Sequence, residues 1–119
     1  MKSLVLALAL LAAGGCSKKQ EHKKTEKPVP TMSDTEIRRG QDACKIYVDR
    51  ACACATSKPD LAKECELAKA LPDALRIGLE VAASPDSKPD IVEQSYASVR
   101  KTVANCIDST NKLTNAGCP

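Results

Sequence analysis

The sequence predicts an all-α domain, a small three-helix, up-down-up bundle stapled by disulfides. Three observations carry that expectation. Apolar residues recur at alternating spacings of three and four along three long segments, which gathers them on one helical face each. A helix-start signal heads every one of those segments, and no run alternates with strand period for long. Residues 34–119 also carry six Cys but only sixteen Ile, Leu or Val, a thin core that covalent staples would support.

The first helix is expected over 34–52. Ser33-Asp34-Thr35-Glu36 has capping-box spacing, a hydroxyl for the early helix N–H groups and a Glu three positions on. Ile37, Cys44, Val48, Ala51 and Ala55 share its apolar face. The second and third helices are expected over 58–83 and 88–114. Ser57-Lys58-Pro59-Asp60 and Ser87-Lys88-Pro89-Asp90 repeat one tetrapeptide, each setting a hydroxyl cap before a Pro in the first turn. Leu61, Cys65, Ala68, Pro72, Leu75, Leu79 and Ala82 make the second stripe. Val92, Tyr96, Val99, Val103, Cys106, Thr110 and Leu113 make the third. Pro72 lies mid-helix and predicts a kink, or a split near Leu71.

The six cysteines are spaced Cys44-x7-Cys52-x-Cys54-x10-Cys65-x40-Cys106-x11-Cys118. There is no C-x-x-C pair and no nearby His, so the usual structural zinc layouts are absent and no metal or cofactor is expected. An even set in an exported chain implies three bridges. With turns near 57 and 86–87, Cys52 falls level with about residue 62 and Cys44 with about residue 103. Each is then ~4.5 Å of helix rise from Cys65 and Cys106 respectively. Cys54 and Cys118 remain, both expected beyond regular helix at one end. The axial levels favour Cys44–Cys106, Cys52–Cys65 and Cys54–Cys118. The rival Cys44–Cys65 with Cys52–Cys106 leaves offsets of about 7.5 Å, beyond the ~4.4–6.8 Å Cα separations that bridges take.

The amino terminus speaks to location. Met1-Lys2 is a short basic start, and Leu4 to Leu11 is an uninterrupted apolar run, too short to span a bilayer. Ala12-Ala13-Gly14-Gly15 and then Cys16 follow. This order of elements, over residues 1–16, resembles the signal peptide and lipobox of bacterial lipoproteins, with Ala13 where Leu is commoner. The resemblance implies removal of residues 1–15 and a Cys16 carrying acyl chains, palmitate among them, that anchor the chain to a membrane. Ser17 after the anchor resembles the outer-membrane-sorted members, which face the periplasm. Using Cys16 as the anchor leaves an even number of cysteines for bridging.

Residues 16–33 read as the acylated Cys and a flexible tether, because Val29 and Met32 are its only sizeable apolar side chains. After Cys16 the tether holds five Lys against Glu21 and Glu26, whereas residues 34–119 hold twelve Lys or Arg against thirteen Asp or Glu. The mature positive charge therefore sits beside the lipid, as a solvated spacer. A folded part without basic excess, in a chain with two Tyr and no Phe or Trp, is not a nucleic-acid reader. His22, the only His, falls in the tether.

No constellation for catalysis stands out. Glu64 and Glu66 flank a Cys, but acids placed so on a helix usually form a solvated face. A non-catalytic, lipid-anchored envelope protein that binds or positions another envelope protein is expected. The alternative is a thiol-redox or copper-handling module built on Cys52 and Cys54.

Overall fold

The computed structural model describes Pro28 and residues 30–119. The signal-like segment, Cys16, His22 and most of the tether lie outside the described residues. Among the described residues the fold is all-α: α1 (Asp34–Ser57), α2 (Ala62–Ala83) and α3 (Pro89–Asn115) pack against one another, with no strand. A single 3₁₀ turn, Pro59–Leu61, links the first two helices.

Each helix buries one row. On α1 the buried residues are Gly40, Cys44, Tyr47, Ala51 and Cys54, at spacings of four, three, four and three. On α3 they are Val99, Cys106 and Leu113, with Val103 packed against the same core. On α2 they are Cys65, Ala68, Leu75 and Ala82. The folded part also takes in Met32, 7% exposed, just ahead of the boundary expected at residue 34. Arg100 ties that entry segment down, donating to the Glu36 carboxylate at 2.7 Å and to the Thr31 carbonyl at 3.3 Å.

The start signals were used unequally. Ser33 caps α1, its hydroxyl accepting from the Glu36 N–H at 3.1 Å. Ser57 and Ser87 do not cap the helices that follow them. α1 runs on to Ser57, past the expected end at 52, and the Ser57 hydroxyl donates back to the Cys54 carbonyl at 3.2 Å. Ser87 likewise donates to the Val81 carbonyl at 2.6 Å, closing the end of α2. Proline explains both. A Pro at the first helical position forces the residue before it into extended backbone, so Lys58 and Lys88 occupy the cap positions. Each Ser then stands one residue too far out to cap, and its hydroxyl serves the free carbonyls of the preceding helix.

Pro72 does not split α2, which is continuous from Ala62 to Ala83. Its ring is exposed, and what it costs the helix is the missing N–H bond to the Ala68 carbonyl and the crowding of the ring against that carbonyl. Ala68 and Leu75, buried on either side, hold both halves against the other helices.

The register of α1 on α3 differs from that set by the turns alone. Glu36–Arg100, Gly40–Val103, Cys44–Cys106, Arg50–Thr114 and Cys54–Cys118 join residues 62–64 apart, about one helical turn beyond the expected offset of 59. Loops of this length leave axial freedom of that size, and close packing selects within it. A Cβ on Gly40 would lie 2.6 Å from a Val103 methyl, so only glycine lets α1 and α3 meet there. Gly78 plays the same part between α2 and α3, 2.8 Å from a Val99 methyl on the same construction.

Three bridges join the helices: Cys44–Cys106, Cys52–Cys65 and Cys54–Cys118, with Cα separations of 4.9, 4.6 and 5.5 Å. Cys54 lies inside α1 rather than beyond it. Cys118 reaches it because Gly117, at φ 80°, reverses the chain after α3. The Cys118 N–H bonds the Leu113 carbonyl at 3.0 Å and the Gly117 N–H bonds the Thr114 carbonyl at 3.1 Å, a Schellman stop.

Two stability outcomes follow from this packing. Replacing Cys52 and Cys65 together by Ala should cost about 3 kcal/mol, and the longer loop closed by Cys44–Cys106 about 4 kcal/mol, in the chain-entropy view. Denaturant unfolding of the oxidised protein against each double variant, with peptide mapping of the remaining bridges, measures both. Gly40→Ala sets about 1–3 kcal/mol of overpacking against about 1 kcal/mol of helix propensity. In the Val103→Ala background, where the methyls are gone, the same substitution should turn stabilising, a sign change that a double-mutant cycle reads directly.

Candidate functional site

The six predicted bridge cysteines are all paired, so none offers a thiol in this state. Cys52 and Cys54, two positions apart on α1, point about 200° away from each other. One meets α2 through Cys65 and the other the carboxyl-terminal segment through Cys118. They do not form a common two-sulfur site. Among the described residues no group of three or more His, Cys, Asp or Glu is placed to hold a metal ion. Cys16, the predicted lipidation residue, lies outside the described residues. Among those residues no helix is long and apolar enough to cross a membrane.

A cleft of about 460 Å³ opens between α2 and α3. Tyr47 of α1 contributes to it from behind, Glu64, Leu67, Ala70 and Leu71 line it from α2, and Asn105 and Ser109 from α3. Its position follows from the packing. α2 and α3 approach closely at Gly78, and further along short polar residues of α3 face α2 and leave room.

Glu64 departs from the solvated face expected of it. It is half-buried and accepts a hydrogen bond from the Tyr47 hydroxyl, whereas Glu66 stays exposed and pairs with Lys69 at 2.7 Å. Tyr47 is 3% exposed. Burial, then the hydrogen bond to Glu64 and its charge, push the phenol up to about 12, with Ser109 opposing slightly. The apolar stripes of the sequence pointed to Val48 rather than Tyr47. A buried row through positions 40, 44, 47, 51 and 54 was the signal, and it is obscured by a glycine.

The outward side of α2 carries a second apolar row. Leu67, Ala70, Ala74, Ile77 and Val81 are all exposed, with Leu67 at 59% and Ile77 at 50%. Asp73, Arg76 and Glu80 form a separate charged face, where Arg76 bridges both acids at 2.7 Å each, and Lys63 stands exposed one turn before Leu67 at the start of the apolar row. On the other side of the bundle, two shallow depressions of about 140 and 160 Å³ flank Ile107, which is 50% exposed. Met32 lines one of them.

The phenol predicts an alkaline limb in stability. Tyr47 is harder to ionise folded than unfolded, so its contribution is complete below pH 10 and is lost as pH rises through about 12. The loss is about 2–3 kcal/mol for a shift of this size. In a Tyr96→Phe background, ultraviolet titration should report one late-ionising phenol together with unfolding. Adding Tyr47→Phe should flatten that limb relative to the parent.

Comparison of the chain with known protein families, curated proteins and solved structures finds no match.

Proposed function

We propose that this chain is a bacterial lipoprotein of the cell envelope, anchored through acylated Cys16, whose bridged helical domain binds or positions another envelope protein without catalysing a reaction. The observation that carries the binding reading is the outward apolar row of α2. A helix that already buries Cys65, Ala68, Leu75 and Ala82 has no folding reason to expose Leu67, Ile77 and Val81 in a line. Contiguous exposed apolar surface of this kind marks contact with another macromolecule.

The anchoring half rests on the lipobox-like order ending at Cys16 and on the even number of cysteines left after it. Three bridges fit an oxidising compartment such as the periplasm. Ser17 favours the outer membrane as the anchoring surface.

Cys16→Ser should release the protein from membranes or leave it as precursor, read by fractionation and intact-mass analysis. A variant that still carries lipid and sediments with membranes overturns the anchoring. Thiol titration of the mature, oxidised protein should find no free thiol, because the Cys16 sulfur carries the lipid and the other six cysteines are bridged. Two reactive thiols at Cys52 and Cys54 would instead favour the redox or copper reading.

A further inference from the structure

Resting on the reading of the domain as a binding module, we infer that the outward row of α2 is a coiled-coil-type seam that docks one amphipathic helix of a partner protein, and that this helix carries Lys or Arg along one flank. Leu67, Ala70, Ala74, Ile77 and Val81 are spaced three, four, three and four. That alternation is the spacing by which one helix packs along another, the same one that α1 uses for its buried row. At about 100° per residue the row stands roughly 140° round the helix from the buried row. It spans ~21 Å, four turns of a partner helix. The small Ala70 and Ala74 between larger neighbours leave holes for a partner's knobs.

The flanks choose the partner. Leu71 and Gly78 edge the row on the side of α3. Leu71 packs on the core and Gly78 abuts Val99, so that flank is already occupied. The free flank holds Glu66, Asp73 and Glu80, one acid immediately before each of Leu67, Ala74 and Val81. A second copy of this chain fits poorly. Antiparallel pairing sets these acids against their own counterparts, and parallel pairing directs them at Leu71 and Gly78, which α3 covers. A basic flank satisfies all three. The present partners of the acids, Lys69 and Arg76, belong to exposed pairs of small worth, which an incoming cation can share.

The cleft adds an anchor point. Leu67 and Ala70 belong to both seam and cleft, and Glu64 lies in the cleft beside them.

The test uses the full lipidated chain in intact cells, with a photo-crosslinking residue placed in turn at Leu67, Ala74 and Ile77, and at Ile46 and Ile107 on the opposite face. Crosslinks from the α2 positions to one envelope protein, mapping to an amphipathic segment with Lys or Arg on one flank, are expected. Crosslinks joining two copies of this chain, or mapping to a segment without basic residues, overturn the inference. Partner crosslinks from Ile46 and Ile107 alone also overturn it, while leaving the binding module standing. Silence from every position removes both. A second measurement uses a synthetic helical peptide with Leu and Ile in the seam positions and either Lys or Glu on the flanks. The Lys peptide should bind the purified protein at least tenfold more tightly than the Glu peptide. The variant Glu66→Lys, Asp73→Lys, Glu80→Lys should reverse that preference. Equal binding of both peptides, or of neither, overturns the charge rule.

Discussion

The bond between Cys44 and Cys106 lies at the centre of a core too poor in large side chains to hold three helices by burial alone. Both residues are fully buried, one turn along from the place where Gly40 lets Val103 against the α1 backbone. Contact without a side chain and a covalent bond next to it lock α1 to α3 in a single register. The rest follows that choice. Arg50 reaches Thr114, Lys58 donates to the Ala116 carbonyl at 2.6 Å, and Cys118 comes within reach of Cys54. Two of the three bridges gather at the end where α1 stops, and the opposite end is held by Met32 and the clamp of Arg100 on Glu36.

With α1 and α3 locked together, α2 is the helix that has surface to spare. It is pinned to α1 by one bridge near its start and seated on α3 at Gly78. One side of it is buried, a second carries exposed ion pairs, and a third presents apolar residues to solvent. Rigid seating matters for binding, because a surface already ordered loses little conformational entropy when a partner arrives. The bridges that compensate for a thin core thus also preorganise the face from which function is inferred.

Several features could be read along the chain because their signals are local. The three apolar rows, the Ser33 cap and the cysteine levels each depend on spacing within one helix or on the turns between neighbouring helices. Other features depend on which of two local rules prevails. Ser57 and Ser87 offered hydroxyl caps, but Pro59 and Pro89 moved the cap positions to lysines. Pro72 argued for a kink or a split near Leu71, and the split is absent, with buried neighbours on both sides of the proline.

By itself the sequence determined the helical class, the number of helices and their order, because apolar periodicity and chain reversal are properties of neighbouring residues. It also singled out Cys16 as the residue on which the proposed membrane anchoring turns. Only the tertiary structure decided the α1–α3 register, since turn positions leave about one turn of axial freedom that steric contact at Gly40 and Val103 removes. The meeting of Tyr47 with Glu64 and the cleft beside it arise from residues on three different helices. The seam on α2 was present as spacing all along. It became a surface only once packing showed which of the helix's two apolar rows the core had taken, because burial is settled between helices and not within one.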